Sequence, residues 1–252
     1  MNAAHAEEEW SALLDTARVL IDAHDLMGAR RVLREAMEFS DKTWGEDDVH
    51  LIGPLRMMAE SLWREHGPID PHNEPELGCL QRALAVARLR LPPDHLEIGR
   101  LAGEVGTHLV AAGRLDEGCA LMVECVEIAE KNGSENFSHY LLMIAQVRTD
   151  QARPADALPL IERAASAQER RDPSSLAHGI TRYYFGRCLF ALGRHEDALV
   201  QLQLALRLFD AKRARGNHAA TMSEIMETID RVKADMPPRP DGDAEASTKK
   251  RG

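Results

Sequence analysis

The densest group of chemically active side chains lies in a short acidic and proline-rich segment. His66-Gly-Pro-Ile-Asp70-Pro-His72-Asn-Glu74-Pro-Glu76 contains two imidazoles and three carboxylates, which are side chains that can ligate a metal ion. The spacing matches no established ligand motif, and three prolines among acidic residues also describe a stiff, solvated loop. We therefore predict no metal site and no cofactor. An enzyme or metal protein built on this segment remains the third of three functional hypotheses.

Four cysteines offer another possible chemistry. Cys119 and Cys125 are six residues apart and do not share a helix face as two ligands would. Cys188 and His195 could form a nucleophile and base, but seven residues are two helical turns, about 10.5 Å of rise and beyond hydrogen-bond reach. With Cys79 they form no Cys-x-x-Cys pair, so we interpret all four as reduced thiols. We predict no catalytic residues and no enzymatic activity.

Charge and composition restrict the possible partners. Lysine and arginine total 31 and aspartate and glutamate 41, a formal net charge of -10 that disfavours phosphate backbones and anionic lipid. Gly99, Gly103 and Gly106 lie at helical spacing, which is typical of helix packing and not of a phosphate-binding loop. The N-terminal residues lack the parts of a secretory signal, and no apolar run approaches the roughly 18 residues that span a bilayer. We expect no nucleic acid, no membrane and a cytoplasmic, bacterial location.

The composition is that of packed helices, and the sequence repeats about every forty residues. Alanine and leucine fill 65 of the 252 positions. Small residues return at three places in each of the last three units, and the frame extends upstream to two more units. The last of these places is held by Ala36, Ala83, Cys125, Ala164 and Ala205. Each unit contains two segments of helical periodicity joined by a short turn. We place the units at about 8–43, 49–90, 95–132, 137–171 and 176–212, a capping helix at about 218–235 and a disordered tail at 236–252, with residues 1–235 as one repeat domain.

These features resemble the tetratricopeptide repeat (TPR) family, and most closely its kinesin-light-chain-like branch of roughly 42-residue repeats. That branch carries a Gly-Pro-Asp-His-Pro-like linker before each first helix, to which Trp44-Gly45-Glu46-Asp47-Asp48-Val49 and Leu91-Pro92-Pro93-Asp94-His95-Leu96 are similar. It also commonly carries a proline early in the second helix, as at Pro159. The resemblance covers about residues 10–210. It implies an all-α, right-handed α-solenoid of about five antiparallel helix pairs followed by a C-terminal capping helix.

By this resemblance, the first helix of each pair lines a concave surface. Helical spacing from the small residues predicts a partner-binding stripe on that surface: Arg18, Arg56, Glu60, Trp63, Arg64, Arg100, Thr107, His139, Gln146, Tyr183, Arg187 and Phe190. The stripe mixes arginines with aromatic residues, so a protein or peptide with acidic and apolar residues would suit it. The alternative is that each position is an ordinary solvated helix residue. The asparagine that often clamps a peptide backbone in this branch is missing from all five equivalent positions.

The resemblance leads to two further functional hypotheses. The first is a non-enzymatic interaction scaffold or adaptor that holds a partner segment in the concave groove. The alternative is a regulatory or sensor protein whose superhelix binds a signalling peptide and acts through another protein. The family binds many unrelated partners, so the resemblance specifies a mode of binding and leaves the partner open.

Overall fold

The structure, a computed structural model, describes residues 2–66, 74–134, 137–211 and 218–236. These ranges contain eleven α-helices, one short 3-10 helix and no strand. The helices are α1 Ala3–Asp22, α2 Leu26–Thr43, α3 Ile52–His66, α4 Glu74–Arg90, α5 Leu96–Ala111, α6 Leu115–Lys131, α7 Ser138–Asp150, α8 Pro154–Arg171, α9 Leu176–Ala191, α10 His195–Ala211 and α11 Ala219–Asp235. The predicted all-α fold of helix pairs followed by a further helix is confirmed. The centre of the acidic and proline-rich segment, residues 67–73, and the predicted tail beyond Met236 lie outside the described residues.

Four of the helix pairs turn through the same three-residue connection. Its middle residue has a left-handed backbone, with φ of 62° at His24, 79° at Gly113, 58° at Ala152 and 73° at Gly193. The following N–H then donates to the carbonyl five residues back, for example from Arg114 to Leu109 at 2.8 Å. Glycine adopts this conformation without a Cβ clash, which explains two of the repeating glycines in the sequence, whereas His24 and Ala152 adopt it under strain.

Side chains in the linkers cap the first helices of several pairs. The imidazole of His95 accepts from the backbone N–H of Glu97 at 3.1 Å, and the hydroxyl of Ser175 accepts from that of His178 at 3.1 Å. In α8, Pro154 occupies the first turn, where its missing N–H costs nothing, and the helix continues through Pro159. The linkers thus fix where the first helices begin.

The chain divides into two compact units, residues 1–144 and 145–252. In the first unit, one group of buried side chains joins α3, α4 and α5, with Leu51, Ala83 and Leu101 fully enclosed. A second group joins α1, α2 and α3 around Ile21 and Leu33. The predicted close crossing at Gly106 is confirmed, because a Cβ built there would lie 2.7 Å from the carbonyl oxygen of Gly118.

In the second unit, the core is formed by α9, α10 and α11. Leu202, Ala205 and Ile225 are fully buried in it. A Cβ built on Gly186 would lie 2.5 Å from Cγ of Leu202, so the predicted close crossing is confirmed here too. In both units, small residues on one helix allow a neighbouring helix to approach closely.

Candidate functional site

A cleft of about 350 Å³ opens on the first unit. The exposed side of α3 forms one wall, because residues 56, 60 and 63 recur at helical spacing on one face. The lining is completed from α1, α4 and α5 and consists of Arg18, Arg56, Met57, Ala59, Glu60, Trp63, Glu76, Leu80, Glu104 and His108. Four residues of the predicted stripe therefore lie together here: Arg18, Arg56, Glu60 and Trp63.

Glu60 is held between two arginines at one end of this cleft. Its Oε2 accepts from Nη1 of Arg18 at 2.7 Å, and its Oε1 accepts from Nη2 of Arg64 at 2.8 Å. Arg64 also donates to the carbonyl of Ile21 at 3.3 Å and lies 3.7 Å from the carboxylate of Asp22. Arg18 and Glu60 are 42 residues apart, about one repeat, so they stand at nearby heights on successive first helices.

Glu104 is likewise held between two arginines, at the other end of the cleft. It accepts from Nε of Arg56 at 3.4 Å and from Nη2 of Arg56 at 3.1 Å, a forked arrangement that fixes both planar groups. It also accepts from Nη1 of Arg100 at 3.3 Å. Sequence reasoning placed these arginines on an open stripe facing solvent. The structure instead engages them with glutamates of the same unit, because an arginine one repeat away from a glutamate reaches it across the first helices.

The floor of the cleft contains a buried pair that sequence reasoning missed. Nε2 of His108 lies 2.6 Å from Oε1 of Glu76, whose side chain is only 3% exposed. Nδ1 of His108 lies 2.9 Å from the backbone carbonyl of Glu104, and because a carbonyl can only accept, Nδ1 carries a hydrogen. The contact between Nε2 and Glu76 is a short side-chain hydrogen bond between α5 and α4. Glu76 had been grouped with the metal-like segment, and the partner 32 residues away left no local signal.

Trp63 supplies the exposed apolar surface of the cleft. It is 47% exposed, although tryptophan usually buries most of its large ring. Met57 and Leu80 lie in the same lining and are almost fully enclosed. The cleft thus offers a flat aromatic surface beside guanidinium and carboxylate groups, which is the mixture found at the centre of many protein interfaces.

A second pocket of about 290 Å³ lies elsewhere in the first unit. It is formed by α5, α6 and the start of α7 and is lined by Leu96, Gly99, Arg100, Cys125, Ile128, Ala129, Ser134, His139 and Tyr140. Two predicted stripe residues, Arg100 and His139, are found here. Thr107 lines neither site, and its hydroxyl donates to the carbonyl of Gly103 at 3.0 Å within α5.

Burial keeps a thiol, a phenol and an imidazole of this second pocket uncharged at neutral pH. Desolvation raises the pKa of the Cys125 thiol to about 11. It also raises the pKa of the Tyr140 phenol above its usual range and lowers the pKa of the His139 imidazole. The thiol and phenol therefore stay protonated and the imidazole stays neutral, which gives a largely apolar enclosure.

In the second unit, the predicted stripe residues surround very little space. Gln146 and Arg187 line a cavity of only about 10 Å³ together with Thr149, Asp150, Ile161 and Tyr184. That volume is no more than about one water probe. The expectation that Tyr183 lies on an open surface is wrong, since it is 9% exposed and packs into the core of this unit. The guanidinium carbon of Arg187 lies 5.7 Å from the ring centres of both Tyr183 and Tyr184.

Phe190 and Cys188 both lie in contacts within the second unit. The half-buried ring of Phe190 lies 5.7 Å from that of His195, whose Nε2 is 3.1 Å from the carboxylate of Asp235. The Cys188 thiol donates to the carbonyl of Pro154 at 3.3 Å.

Among the described residues, no group of three or more histidine, cysteine, aspartate or glutamate side chains is arranged to hold a metal ion. No described helix is long and apolar enough to cross a membrane.

Comparison with known proteins identifies the repeats. Residues 136–211 match the family model of the tetratricopeptide repeat. The fold is similar to that of the kinesin light chain TPR-like repeats of Podosopora anserina, with a TM-score of 0.64 and 16% identity over 82% of this chain and 98% of that chain. No curated protein matches the chain.

Two further solved structures share the fold. BtubC of P. vanneervenii gives a TM-score of 0.61 and 15% identity over 89% of this chain and 83% of that chain. YrrB, described as a TPR protein with an unusual peptide-binding site, gives a TM-score of 0.56 and 15% identity. The match covers 78% of this chain and 84% of that chain. Residues 136–211 therefore match the tetratricopeptide repeat model, and the chain shares the fold of the kinesin light chain TPR-like repeats. The resemblance seen in the sequence is confirmed.

Proposed function

We propose that the protein is a non-enzymatic interaction scaffold and that the cleft of the first unit binds a partner segment carrying acidic and apolar residues. The fold supports a general protein-binding role, since its relatives are interaction modules. The single observation that carries the proposal is that Arg18 and Trp63 line one cleft and that both are about half exposed. The Arg18 side chain is 48% exposed, and Trp63 as a residue is 47% exposed.

The charge arrangement supports an anionic group at this place. Glu60 is shared by Arg18 and Arg64, and Glu104 is shared by Arg56 and Arg100. Arg18 donates to Glu60 through Nη1, and its side chain is half exposed, so its other N–H groups are accessible to a further acceptor. A carboxylate of a partner can bind these donors without displacing Glu60.

The apolar part of the segment would pack on the indole of Trp63. A partner that covers both groups removes them from water together, and the enclosed guanidinium then pairs more strongly than it does on an open surface. Whether the protein acts as a scaffold or as a regulator depends on which other proteins the complex contacts. The regulatory alternative therefore shares this site and remains a prediction.

The proposal is tested by selecting peptides from a random display library with the full-length protein. We expect enrichment of aspartate or glutamate next to an apolar residue. Arg18→Glu should weaken binding of the selected peptides by about tenfold or more, because a charge-assisted hydrogen bond is replaced by repulsion. Trp63→Ala should weaken it as well.

The matched control is Arg34→Glu, which makes the same charge change on α2 of the same unit. The Arg34 side chain is exposed and donates to the carbonyl of Arg30 at 3.1 Å, away from the cleft lining. If Arg34→Glu and Arg18→Glu weaken binding equally, net charge rather than the cleft is responsible. Selection of peptides without acidic residues would contradict the proposed partner chemistry.

A further inference from the structure

The second pocket of the first unit lies beside a close approach of α5 to α6. A Cβ built on Gly99 would lie 3.0 Å from Cγ2 of Ile128, so glycine permits this approach. Ile128 and Ala129 form the wall on α6, and Leu96, which is half exposed, stands at the rim. The result is a preformed apolar enclosure with an apolar entrance.

The size and chemistry of this enclosure suit one uncharged group. An apolar cavity of about 150 Å³ can hold a benzene molecule, and this pocket measures about 290 Å³. Cys125, His139 and Tyr140 are uncharged at neutral pH, so none of them carries a charge that would balance that of a charged occupant.

Arg100 is the charged residue in the lining, and its hydrogen-bonding edge is already engaged. Nε donates to Oε2 of Glu97 at 3.1 Å, Nη2 donates to the other oxygen of Glu97, and Nη1 donates to Glu104 at 3.3 Å. Hydrogen bonds to the edge of a guanidinium leave its flat face without a hydrogen-bond partner. That face stacks on aromatic rings, because the ring carries negative charge density above its plane.

We propose that this pocket receives an aromatic side chain of a partner protein, with the ring stacked on the face of Arg100 and packed against Leu96 and Ile128. An aliphatic side chain would fit the walls but gain nothing from the guanidinium. A carboxylate would meet Glu97 and Glu104 where it needs N–H donors. The inference rests on the proposed interaction function and adds a second, separately testable contact to it.

The experiment follows the methyl NMR signals of Ala129 and Ile128 in the full-length protein during titration with capped amino acids. N-acetyl-L-phenylalaninamide should shift these signals in a saturable manner and bind more tightly than N-acetyl-L-leucinamide, while N-acetyl-L-aspartic acid amide should leave them unmoved. Arg100→Gln should weaken the phenylalanine probe by about fivefold and the leucine probe hardly at all. Leu96→Ala, at a half-exposed rim position that is safe for folding, should weaken both probes.

The matched control is Arg114→Gln, because Arg114 is also engaged at its edge, by Glu117 at 2.9 and 2.6 Å, and does not line this pocket. Equal binding of the leucine and phenylalanine probes, or equal effects of the two arginine substitutions, would overturn the proposal. So would the absence of any saturable shift, or methyl shifts that change on diluting the protein alone, which would indicate a second copy of the chain. Acidic-peptide binding at the Trp63 cleft is measured separately, so failure here leaves that result intact.

Discussion

The two units place equivalent helix positions in different surroundings. In the repeat register, Gly103 of the first unit corresponds to Tyr183 of the second, four residues before Thr107 and Arg187, respectively. First helices of the first unit line a cleft of about 350 Å³, whereas the predicted stripe of the second lines about 10 Å³. The register therefore tells which helix face is available, and the side chains on that face decide whether it contains a site.

The arginines of the two units differ for the same reason. In the first unit, Arg18 and Arg56 reach glutamates on the next first helix and stand at the edge of open space. In the second, Arg187 lies over two tyrosine rings in a filled region. The stripe predicted from the sequence thus borders open space in the first unit and a filled region in the second.

The largest expected effect concerns the buried pair beneath the cleft. His108→Leu removes a partner of the nearly buried Glu76 carboxylate and should lower the free energy of unfolding by about 3 kcal/mol. The second unit provides the matched control in His195→Leu, because the partner of His195, Asp235, is 69% exposed and remains hydrated. Loss of that ion pair should lower the free energy of unfolding by less than about 1 kcal/mol. If urea unfolding gives similar losses of unfolding free energy for the two variants, burial of Glu76 does not strengthen its pairing with His108.

Filling a close helix crossing in the second unit comes next. Gly186→Leu should lower the free energy of unfolding by about 1 to 3 kcal/mol, since even a Cβ there would approach the carbonyl of Ala198 to 3.2 Å. Gly78 is also helical, but a Cβ built on it meets nothing within 4 Å. Gly78→Ala should therefore stabilise the protein slightly, and Gly186→Ala should not. The same sign for both alanine variants in thermal unfolding would contradict the packing described for Gly186.

The turns give a smaller effect of opposite sign. Ala152 holds φ of 58° at a position where other pairs have glycine, so Ala152→Gly should raise the free energy of unfolding by about 1 kcal/mol. Gly193→Ala, at the equivalent turn with φ of 73°, should lower it by a similar amount. A calorimetric experiment in which both variants shift the midpoint in the same direction would refute the equivalence of the two turns.

The smallest effect is a change in pH dependence in the second unit. Burial, with a further contribution from the charge of Arg182, lowers the pKa of His178, whose Nε2 accepts from Nε of Arg182 at 3.1 Å. The unfolded chain then binds a proton below about pH 6.5 that the folded unit resists, so stability is lost as the pH falls. His178→Gln should lose less stability than the unchanged protein between pH 7 and pH 5. A difference that is constant over this range would contradict the assignment.

The fold was largely predictable because its signals are local and repeated. Gly106 and Gly186 mark helix crossings, and Gly113 and Gly193 mark turns that need a left-handed residue. Neither feature requires knowledge of distant side chains. His24 and Ala152 show the limit of this reasoning, because the turn imposes its conformation there on residues that do not favour it.

The site was only partly predictable, because it depends on contacts between repeats. Helical spacing identified Arg18, Glu60 and Trp63, which do line one cleft. It could not show that Glu104 would engage two arginines or that Glu76 would lie beneath them, since those pairings need the packed distance between helices. It also treated Tyr183 as exposed, because periodicity gives the direction of a side chain and not the volume around it.

The most direct test of the account is chemical-shift mapping of a selected acidic and apolar peptide on the full-length protein. We predict saturable shifts in the indole N–H of Trp63 and the guanidinium Nε–H of Arg18, which line the cleft, and none at Tyr184 or Arg187, which line the filled region. Shifts centred on Tyr184 and Arg187 with Trp63 unmoved would contradict the central claim that the open cleft of the first unit is the binding site.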